Sequence, residues 1–296
     1  MQTSYLYCLL FSLGYLYNLW FTQDFVVNYR TFGQGKPVVI INGGPGMNSD
    51  GFAGIAQEIA ALNYQTIIFD QRGTGKSIIE PIDASTITID RMVEDLEVLR
   101  KKLGFEKWTV MGHSFGGILA THYAALYPER IEKIIFSSSG GLTLKFSEYV
   151  GNRIQTLLTA EQRDSLAYYQ EKLNKGENTA YNLQKRASLL ANAYVYDKNH
   201  APAIAERLLQ VNFTINGLVF QNLQAIGYNY TGKFHAFAQP VLVLQGQNDI
   251  IAVETAQEIA QNFPNASLVL LDNCGHYGWL DQREEYLEAV KNFLSK

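Results

Sequence analysis

The chain has 296 residues, of which 47% are hydrophobic and 18% charged, as in globular proteins. This length suits one large domain with an insertion as well as two small domains, and we start from one domain. Its formal net charge of −4 gives no basic surface for nucleic acid or anionic lipid, so we expect neither partner. Cys8 and Cys274 cannot build a disulfide framework, and no Cys/His spacing predicts a metal ion or another cofactor.

Residues 1–22 are an apolar segment without charge that resembles the core of a signal peptide. No Lys or Arg precedes the run, no A-x-A cleavage site follows it, and Ser12, Gly14 and Asn18 interrupt the length that a membrane span needs. A cleaved leader and a packed surface segment both remain open. We expect no stable membrane span, and we favour export (periplasmic or secreted) slightly over a cytoplasmic location.

From residue 25 onward, short apolar runs rich in β-branched residues alternate with amphipathic stretches at helical spacing. The predicted strands cover residues 37–42, 65–70, 108–112, 133–138, 240–246 and 267–272. The predicted helices cover residues 52–62, 87–104, 118–130 and 283–296. Residues 25–33 are expected to form a leading edge strand. This alternation predicts an α/β fold with a mostly parallel central sheet flanked by helices.

Between residues 140 and 238 the strand pattern stops, and helical patches appear at 147–158 and 201–210. We interpret this segment as a helical cap inserted into a core formed by residues 23–139 and 239–296. Its tyrosines could line a pocket or pack against the core.

The stretch VMGHSFGGILA places Ser114 between Gly112 and Gly116, after a predicted strand and before a predicted helix. A nucleophilic serine on a sharp strand-to-helix turn requires small residues two positions away on either side. The G-x-S-x-G pattern therefore predicts Ser114 as a nucleophile. The alternative is an ordinary turn in which the serine caps a helix.

A serine nucleophile needs a base and an orienting acid, which for this type of turn follow in the order acid, then histidine. Asp249 follows the predicted strand 240–246, and His276 follows 267–272, so both should meet Ser114 at one edge of the sheet. Asp249 could instead cap a helix, and His276 could be a buried structural imidazole. Asp272 is a second candidate for the acid.

The oxyanion that forms during acyl transfer must be met by N–H donors. The amide of Phe115, directly after Ser114, is one candidate, and Gly44 in the loop NGGPG (42–46) is the other. A structural Gly-Pro turn is the alternative for this loop.

The segment DQRGTGKS (70–77) ends like a phosphate-binding loop. The first glycine of that motif would have to stand at position 70, where this chain has Asp70, so the sequence gives little support to nucleotide hydrolysis.

The segments NGGPG, DQRGTGKS, GHSFGG, QGQND and CGH together resemble the α/β-hydrolase fold family, in particular its proline iminopeptidase-like branch. The resemblance covers roughly residues 23–296 and implies a helical cap and a catalytic triad of Ser114, Asp249 and His276. It also implies that Asp70, Gln71 and Arg72 brace the site, although a structural turn remains open for them.

The chain departs from that branch at positions that bear on its substrate. Asn42 stands where the iminopeptidases usually have His before GGPG, and the tryptophans Trp20, Trp108 and Trp279 all lie outside the predicted cap, where the family places a Trp-Glu element that helps hold the substrate's amine. Glu148, Glu171 and Glu206 are candidates for a carboxylate that binds such an amine.

We therefore predict a serine hydrolase acting on a small molecule or short peptide, with an iminopeptidase-like aminopeptidase favoured, an esterase or other carbonyl hydrolase as the alternative, and a non-catalytic binding protein as a third possibility.

Overall fold

The computed structural model describes residues 26–296, so the leader expected at residues 1–22 lies outside the described residues. The described chain forms one sheet with the strands β1 (Tyr29–Phe32), β2 (Lys36–Ile41), β3 (Tyr64–Phe69), β4 (Trp108–His113), β5 (Ile131–Ser137), β6 (Val241–Gly246) and β7 (Ala266–Leu271). Their order is β1-β3-β2-β4-β5-β6-β7. Only the β1–β3 pair is antiparallel, so the predicted mostly parallel sheet and its leading edge strand are confirmed.

An apolar core covers each face of the sheet. Because successive side chains of a strand point to opposite sides, each strand contributes to both cores. Along β2, Val39 and Ile41 belong to one apolar core cluster, whereas Val38 and Ile40 belong to the other. All six residues of β4 and of β6 are buried. Burial on both faces explains why these strands appear in the sequence as continuous apolar runs rather than alternating ones.

The helices that cover the sheet are α1 (Ala53–Ala60), α2 (Ile89–Lys102), α3 (Phe115–Leu126), α9 (Val253–Asn262), α10 (Gly278–Asp281) and α11 (Arg283–Leu294). Helices α1 and α11 contribute to the core on one face, and α2, α3 and α9 to the core on the other. The helix predicted at 118–130 begins earlier, directly after Ser114, and ends at Leu126. It ends there because Tyr127 precedes Pro128, whose ring disfavours helical backbone in the residue before it.

Five further helices lie between β5 and β6, within a segment that we call the helical insert (residues 138–240). They are α4 (Phe146–Leu157), α5 (Ala160–Asn174), α6 (Ala180–Tyr194), α7 (Ala201–Leu208) and α8 (Phe213–Ala225). The insert shares its core with the sheet, since Ile215, Val219 and Leu223 of α8 are fully buried in the same cluster as Val110 of β4. Its predicted boundaries at 140 and 238 remain a prediction.

Within residues 26–296, no helix combines the length and the apolar character that crossing a membrane requires.

A buried ion pair joins the loop after β3 to helix α2. The Arg72 guanidinium donates to both carboxylate oxygens of Asp95, at 2.8 Å and 2.6 Å, and also to the Thr86 carbonyl at 2.7 Å. The side chains of this pair are 9% and 6% exposed. Burial raises the pKa of Asp95 to about 6, and Arg72 opposes the rise by favouring the carboxylate. The planar guanidinium of Arg72 therefore compensates the charge of the Asp95 carboxylate, which would otherwise be costly to bury.

We predict that Arg72→Met lowers the free energy of unfolding at pH 8 by about 3–5 kcal/mol, because the substitution leaves Asp95 buried without a cation. Since the native state holds the Asp95 proton more tightly than the unfolded chain, this loss should be smaller at pH 5 than at pH 8. Urea denaturation at the two pH values measures both effects.

The control for this prediction is Arg91→Met, which breaks the exposed ion pair with Glu94 on the same helix. It should cost less than about 1 kcal/mol at either pH. Equal losses for the two variants would contradict a special role for the buried pair.

Candidate active site

Ser114 lies on the sharp turn between β4 and α3, with backbone angles of φ 54° and ψ −121°. A non-glycine residue with such positive φ costs about 1–3 kcal/mol, and such strain concentrates at functional sites. The turn closes only because its neighbours lack side chains. A Cβ at Gly112 would lie 2.4 Å from the Gly116 carbonyl oxygen, and one at Gly116 would lie 2.1 Å from the Ile41 oxygen. Close backbone contacts therefore explain why the turn requires small residues at these two positions, as the sequence predicted.

The Ser114 hydroxyl does not cap the helix that follows it. Ser114 occupies the N-cap position of α3, yet its side chain accepts no capping hydrogen bond. Its backbone is fixed instead, because its N–H donates to Ser137 and its carbonyl accepts from Gly117 and Gly140. The alternative of a helix-capping serine is thus wrong, and the half-buried side chain is left without a structural role of that kind.

Asp249 and His276 form a buried pair at the carboxyl edge of the sheet. The distance between His276 Nδ1 and Asp249 Oδ1 is 2.7 Å, and the two side chains are 2% and 0% exposed. Asp249 also accepts from the Ile251 N–H at 2.9 Å and from Gln245 Nε2 at 2.8 Å. Three donors therefore hold the carboxylate in one orientation toward the imidazole. The alternative role of Asp249 as a helix cap is wrong, since the N-cap of α9 is Ala252.

Gln245 was missed by the sequence analysis. It is a polar residue at the end of the otherwise apolar strand β6, and that contrast was the signal that could have identified it. The other candidate acid, Asp272, is exposed and accepts a hydrogen bond from Gln247 rather than from a histidine.

The rings of His113 and His276 bring the serine turn next to the histidine loop. Their centroids are 4.7 Å apart, and His113 directly precedes Ser114. Burial lowers the pKa of His113 well below its ordinary value, and the nearby His276 and Arg207 lower it further, so His113 is neutral. Among the described residues, no hydrogen bond joins the Ser114 hydroxyl to His276. Catalytic hydrogen bonds in unliganded enzymes are often long and tighten when substrate binds.

The loop after β2 lies directly against the serine. A Cβ at Gly43 would come within 2.6 Å of the Ser114 Cβ, so only glycine allows this approach. Gly44, the candidate oxyanion donor, has φ +66° and follows Gly43 in this loop. Phe115 begins α3, and its N–H therefore has no carbonyl acceptor within the helix. The geometry places the serine between the loop that carries one candidate donor and the helix that carries the other.

The Asp70 carboxylate holds the loop after β2 through hydrogen bonds. Its Oδ1 accepts from the Ser49 N–H at 2.9 Å and from the Ser49 hydroxyl at 2.8 Å, and its Oδ2 accepts from Asn28 at 2.8 Å and from the Lys76 N–H at 3.0 Å. Burial alone would raise the pKa of Asp70, but these hydrogen bonds outweigh it and lower the pKa below its ordinary value.

Gln71 extends this bracing, because its Nε2 donates to the Asn42 carbonyl at 2.8 Å. The Asn42 side chain in turn donates to the carbonyls of Gly43 and Met47. Hydrogen bonds to Asp70 and from Gln71 thus hold the loop after β2, and Arg72 joins this segment to α2.

The helical insert contacts each loop of the candidate site. Arg153 of α4 donates to the Asp249 carbonyl at 3.0 Å, and the His276 N–H donates to the Tyr194 carbonyl at 2.8 Å. The Tyr194 ring also meets the His276 ring edge-on at 5.4 Å between centroids. On the other side, Asn212 donates from its N–H to the Gly46 carbonyl at 2.9 Å. The sequence analysis singled out none of these insert residues.

The three candidate carboxylates of the insert do not point into its interior. Glu148, Glu171 and Glu206 are all exposed, and Glu171 forms a surface ion pair with Lys175. No group of three or more metal-binding side chains occurs within the described part of the chain.

Comparison with known proteins identifies the family. The sequence model of the α/β hydrolase fold matches residues 36–282 of this chain. The chain therefore belongs to the α/β-hydrolase fold family and is a hydrolase, as the sequence motifs predicted.

Its relatives include proline iminopeptidases, so the predicted resemblance to that branch is confirmed. The chain is 26% identical to the proline iminopeptidase of Saccharolobus solfataricus over 287 residues, which cover 90% of this chain and 87% of the relative. It is 28% identical over 273 residues to the proline iminopeptidase of Lactobacillus delbrueckii subsp. bulgaricus, covering 87% of this chain and 89% of the relative.

Solved structures share the fold. The proline iminopeptidase of Mycobacterium smegmatis matches with a TM-score of 0.71 and 21% identity, over 90% of this chain and 93% of that one. A thermophilic esterase from Thermogutta terrifontis matches with a TM-score of 0.69 and 21% identity, over 91% of this chain and 93% of that one.

We predict that Asp70→Asn lowers the free energy of unfolding at pH 7 by about 1–3 kcal/mol, because one amide cannot accept all four hydrogen bonds that Asp70 accepts. The lowered pKa means that Asp70 contributes this stability above its ordinary value near 3.9 and loses it as the pH falls below that value. The gap between wild type and variant should therefore narrow below about pH 4. Chemical denaturation from pH 3 to pH 7 measures it.

The control is Asp50→Asn in the same region, which removes an exposed ion pair with Arg30. It should change stability by less than about 1 kcal/mol. A constant gap between wild type and Asp70→Asn across this pH range would contradict the charged role of Asp70.

Proposed function

We propose that this protein is a serine hydrolase that works by acyl transfer through a triad of Ser114, Asp249 and His276. The observation that carries the proposal is the strained turn at Ser114, next to a histidine ring that packs on the His276 of a buried 2.7 Å His–Asp pair. A serine hydroxyl is barely ionised at neutral pH and needs such a base to become a nucleophile. The order of the three residues along the chain also fits this fold.

In this mechanism Ser114 attacks the substrate carbonyl while His276 accepts its proton. Asp249 keeps the His276 Nδ1–H oriented toward itself and stabilises the imidazolium, while Gln245 and the Ile251 amide hold Asp249 in place. The amides of Gly44 and Phe115 bind the oxyanion of the tetrahedral intermediate. His276 then protonates the leaving group. In the second half of the reaction His276 accepts a proton from a water molecule that attacks the acyl-enzyme, and it returns the proton to Ser114 as the acyl group leaves.

The helical insert acts in this proposal as a cap over the site. Its hydrogen bonds to the Gly46, Asp249 and His276 backbones support this role, since they fix the insert above the loops that carry the reacting groups. A cap in this position selects substrates by shape and charge and excludes water. No cofactor takes part in the proposed reaction.

An aminopeptidase that removes small N-terminal residues, proline among them, is the activity we favour. Its support is the set of proline iminopeptidase relatives, which match along nearly the whole chain. An esterase is the second candidate, and a specific observation favours it. A substrate ammonium group needs a carboxylate partner, whereas Glu148, Glu171 and Glu206 of the insert are all exposed.

We predict that Ser114→Ala abolishes the burst of p-nitrophenol from p-nitrophenyl acetate and lowers kcat by about 10⁴-fold or more, because no acyl-enzyme can form. The control is Ser147→Ala, which removes an exposed hydroxyl at the start of α4 and should leave the burst intact. Stopped-flow absorbance measures the burst. A Ser114→Ala enzyme with near wild-type turnover would refute the nucleophile.

A second prediction separates the two candidate activities. If the enzyme is an aminopeptidase, proline and alanine arylamides with a free amine should be cleaved at least about 10-fold faster than their N-acetylated forms, since a charge-assisted hydrogen bond contributes about 1.5–3 kcal/mol. Values of kcat/KM for these pairs and for short p-nitrophenyl esters decide the question. Ester cleavage with no preference for a free amine would favour the esterase.

A further inference from the structure

A cavity of about 240 Å³ lies among helices α4, α5 and α6 of the insert. Apolar side chains form most of its wall, including Ile154, Leu166 and Leu190. Three polar side chains interrupt this wall: Gln155 of α4, Gln170 of α5 and Arg186 of α6. An apolar cavity with few polar groups is typical of a small-molecule site in which the polar groups fix the orientation of the ligand.

Contacts of residues around the cavity lead to two loops of the candidate active site. On one side, Ile154 and Leu166 pack against an apolar cluster that contains Ile250 and Ile251, which directly follow Asp249. On the other side, the guanidinium of Arg186 lies over the Phe213 ring at 5.8 Å. Phe213 follows Asn212, whose N–H donates to the Gly46 carbonyl in the loop against Ser114. Tyr194, whose ring meets the His276 ring at 5.4 Å between centroids, also acts on the charge of Arg186, so contacts connect Arg186 to the histidine loop as well.

Arg186 carries a charge that the protein does not neutralise. Its Nε donates to Gln170 Oε1 at 2.6 Å, and no Asp or Glu among residues 26–296 forms an ion pair with it. Burial lowers the pKa of this half-buried group, while Tyr194 acts in the opposite direction. A guanidinium remains charged at neutral pH despite such a shift. Its two terminal nitrogens are therefore available as donors to an anionic ligand.

The interior of the insert contains no acidic group that could serve instead. Across residues 146–225, all of which are described, the buried polar side chains are Asn182 and Arg207, and neither is a carboxylate. Glu171 and Glu177 form surface ion pairs with Lys175 and Lys172. The electrostatics of this region thus favour a negatively charged group of the substrate over a positively charged one.

We propose that Arg186, oriented by Gln170, binds a carboxylate of the substrate in the cavity between α4, α5 and α6. This inference rests on the proposed function and narrows it to substrates that carry a carboxylate away from the scissile carbonyl. The planar guanidinium fork matches a carboxylate in two parallel hydrogen bonds. The carboxylate belongs either to the acyl part, as in a dicarboxylic acid monoester, or to the leaving group, as at the C-terminus of a dipeptide.

The test compares matched charged and neutral substrates. For the acyl side, the pair is p-nitrophenyl hydrogen glutarate and p-nitrophenyl pentanoate. For the leaving group, it is 4-acetoxybenzoate and 4-acetoxybenzamide. In each pair we measure the ratio of kcat/KM for the charged substrate to that for the neutral one. The variants are Arg186→Gln and Arg186→Lys, and the control is Lys185→Gln, which removes an exposed charge from the adjacent position.

We expect the ratio for one of the two pairs to fall by about 10–100-fold in Arg186→Gln, the range expected for charge-assisted hydrogen bonds. Arg186→Lys should give an intermediate ratio, because it retains the charge but loses the fork, and Lys185→Gln should retain the wild-type ratio. The pair that responds identifies the part of the substrate that carries the carboxylate. An unchanged ratio for both pairs in Arg186→Gln would overturn the proposal while leaving the triad intact.

A binding measurement tests the proposal independently of turnover. Calorimetric titration with glutarate and with glutaramide should show tighter binding of glutarate to wild type and to Ser114→Ala, and no such preference in Arg186→Gln. Thermal denaturation verifies that Arg186→Gln is folded. If no substrate is hydrolysed in a Ser114-dependent manner, the proposed function fails, and the preference for glutarate still decides the role of Arg186. Equal binding of glutarate and glutaramide to wild type would overturn it.

Discussion

The parallel pairing of β2, β4, β5, β6 and β7 is the constraint on which the candidate site depends. Because these strands run in the same direction, their carboxyl ends meet at one edge, and the loops that follow β2, β4, β6 and β7 must converge there. This convergence brings Ser114 beside Gly43 and pairs Asp249 with His276, although these residues are far apart in the sequence. Apolar cores on both faces keep the sheet rigid, so the loops start from fixed positions.

Rigid strand ends fix where the loops begin, and buried polar groups fix the position of the loops themselves through hydrogen bonds and an ion pair. Asp70 gathers donors from three parts of the chain onto one carboxylate, and Arg72 joins the same loop to α2 through Asp95. Each group is costly to bury alone and is tolerated because its partners are fully engaged. The strain at Ser114 is thus maintained by surroundings that leave its backbone no alternative.

The helical insert shares an apolar core with the sheet and also contacts the loops of the candidate site. Hydrogen bonds to backbone groups of these loops come from Arg153, Asn212 and Arg207, and the Tyr194 carbonyl accepts one from the His276 N–H. Backbone contacts of this type fix position without restricting which side chains line the space above the site. The proposed role of Arg186 in substrate preference therefore requires no change to the candidate residues Ser114, Asp249 and His276.

The sequence alone determined the strand and helix pattern, the serine turn and the order along the chain of the candidate acid Asp249 and the candidate base His276. These features are local or periodic: a buried parallel strand requires a continuous apolar run, and a turn as sharp as that at Ser114 requires glycine at 112 and 116. The resemblance of NGGPG and DQRG to known signatures supplied the family before any contact was known. The strand boundaries differ from the predicted ones by one or two residues in the core of the sheet. The start and end of α3 also shifted, because capping and the proline effect act over single residues.

The tertiary structure alone decided which polar groups meet. It paired Asp249 rather than Asp272 with His276, and it left Glu148, Glu171 and Glu206 exposed while Arg186 lines the cavity. Sequence patterns could not have shown this, because such contacts depend on how helices of the insert are oriented against loops from other parts of the chain. Burial and partner identity are properties of that packing, and no local pattern of residue types encodes them.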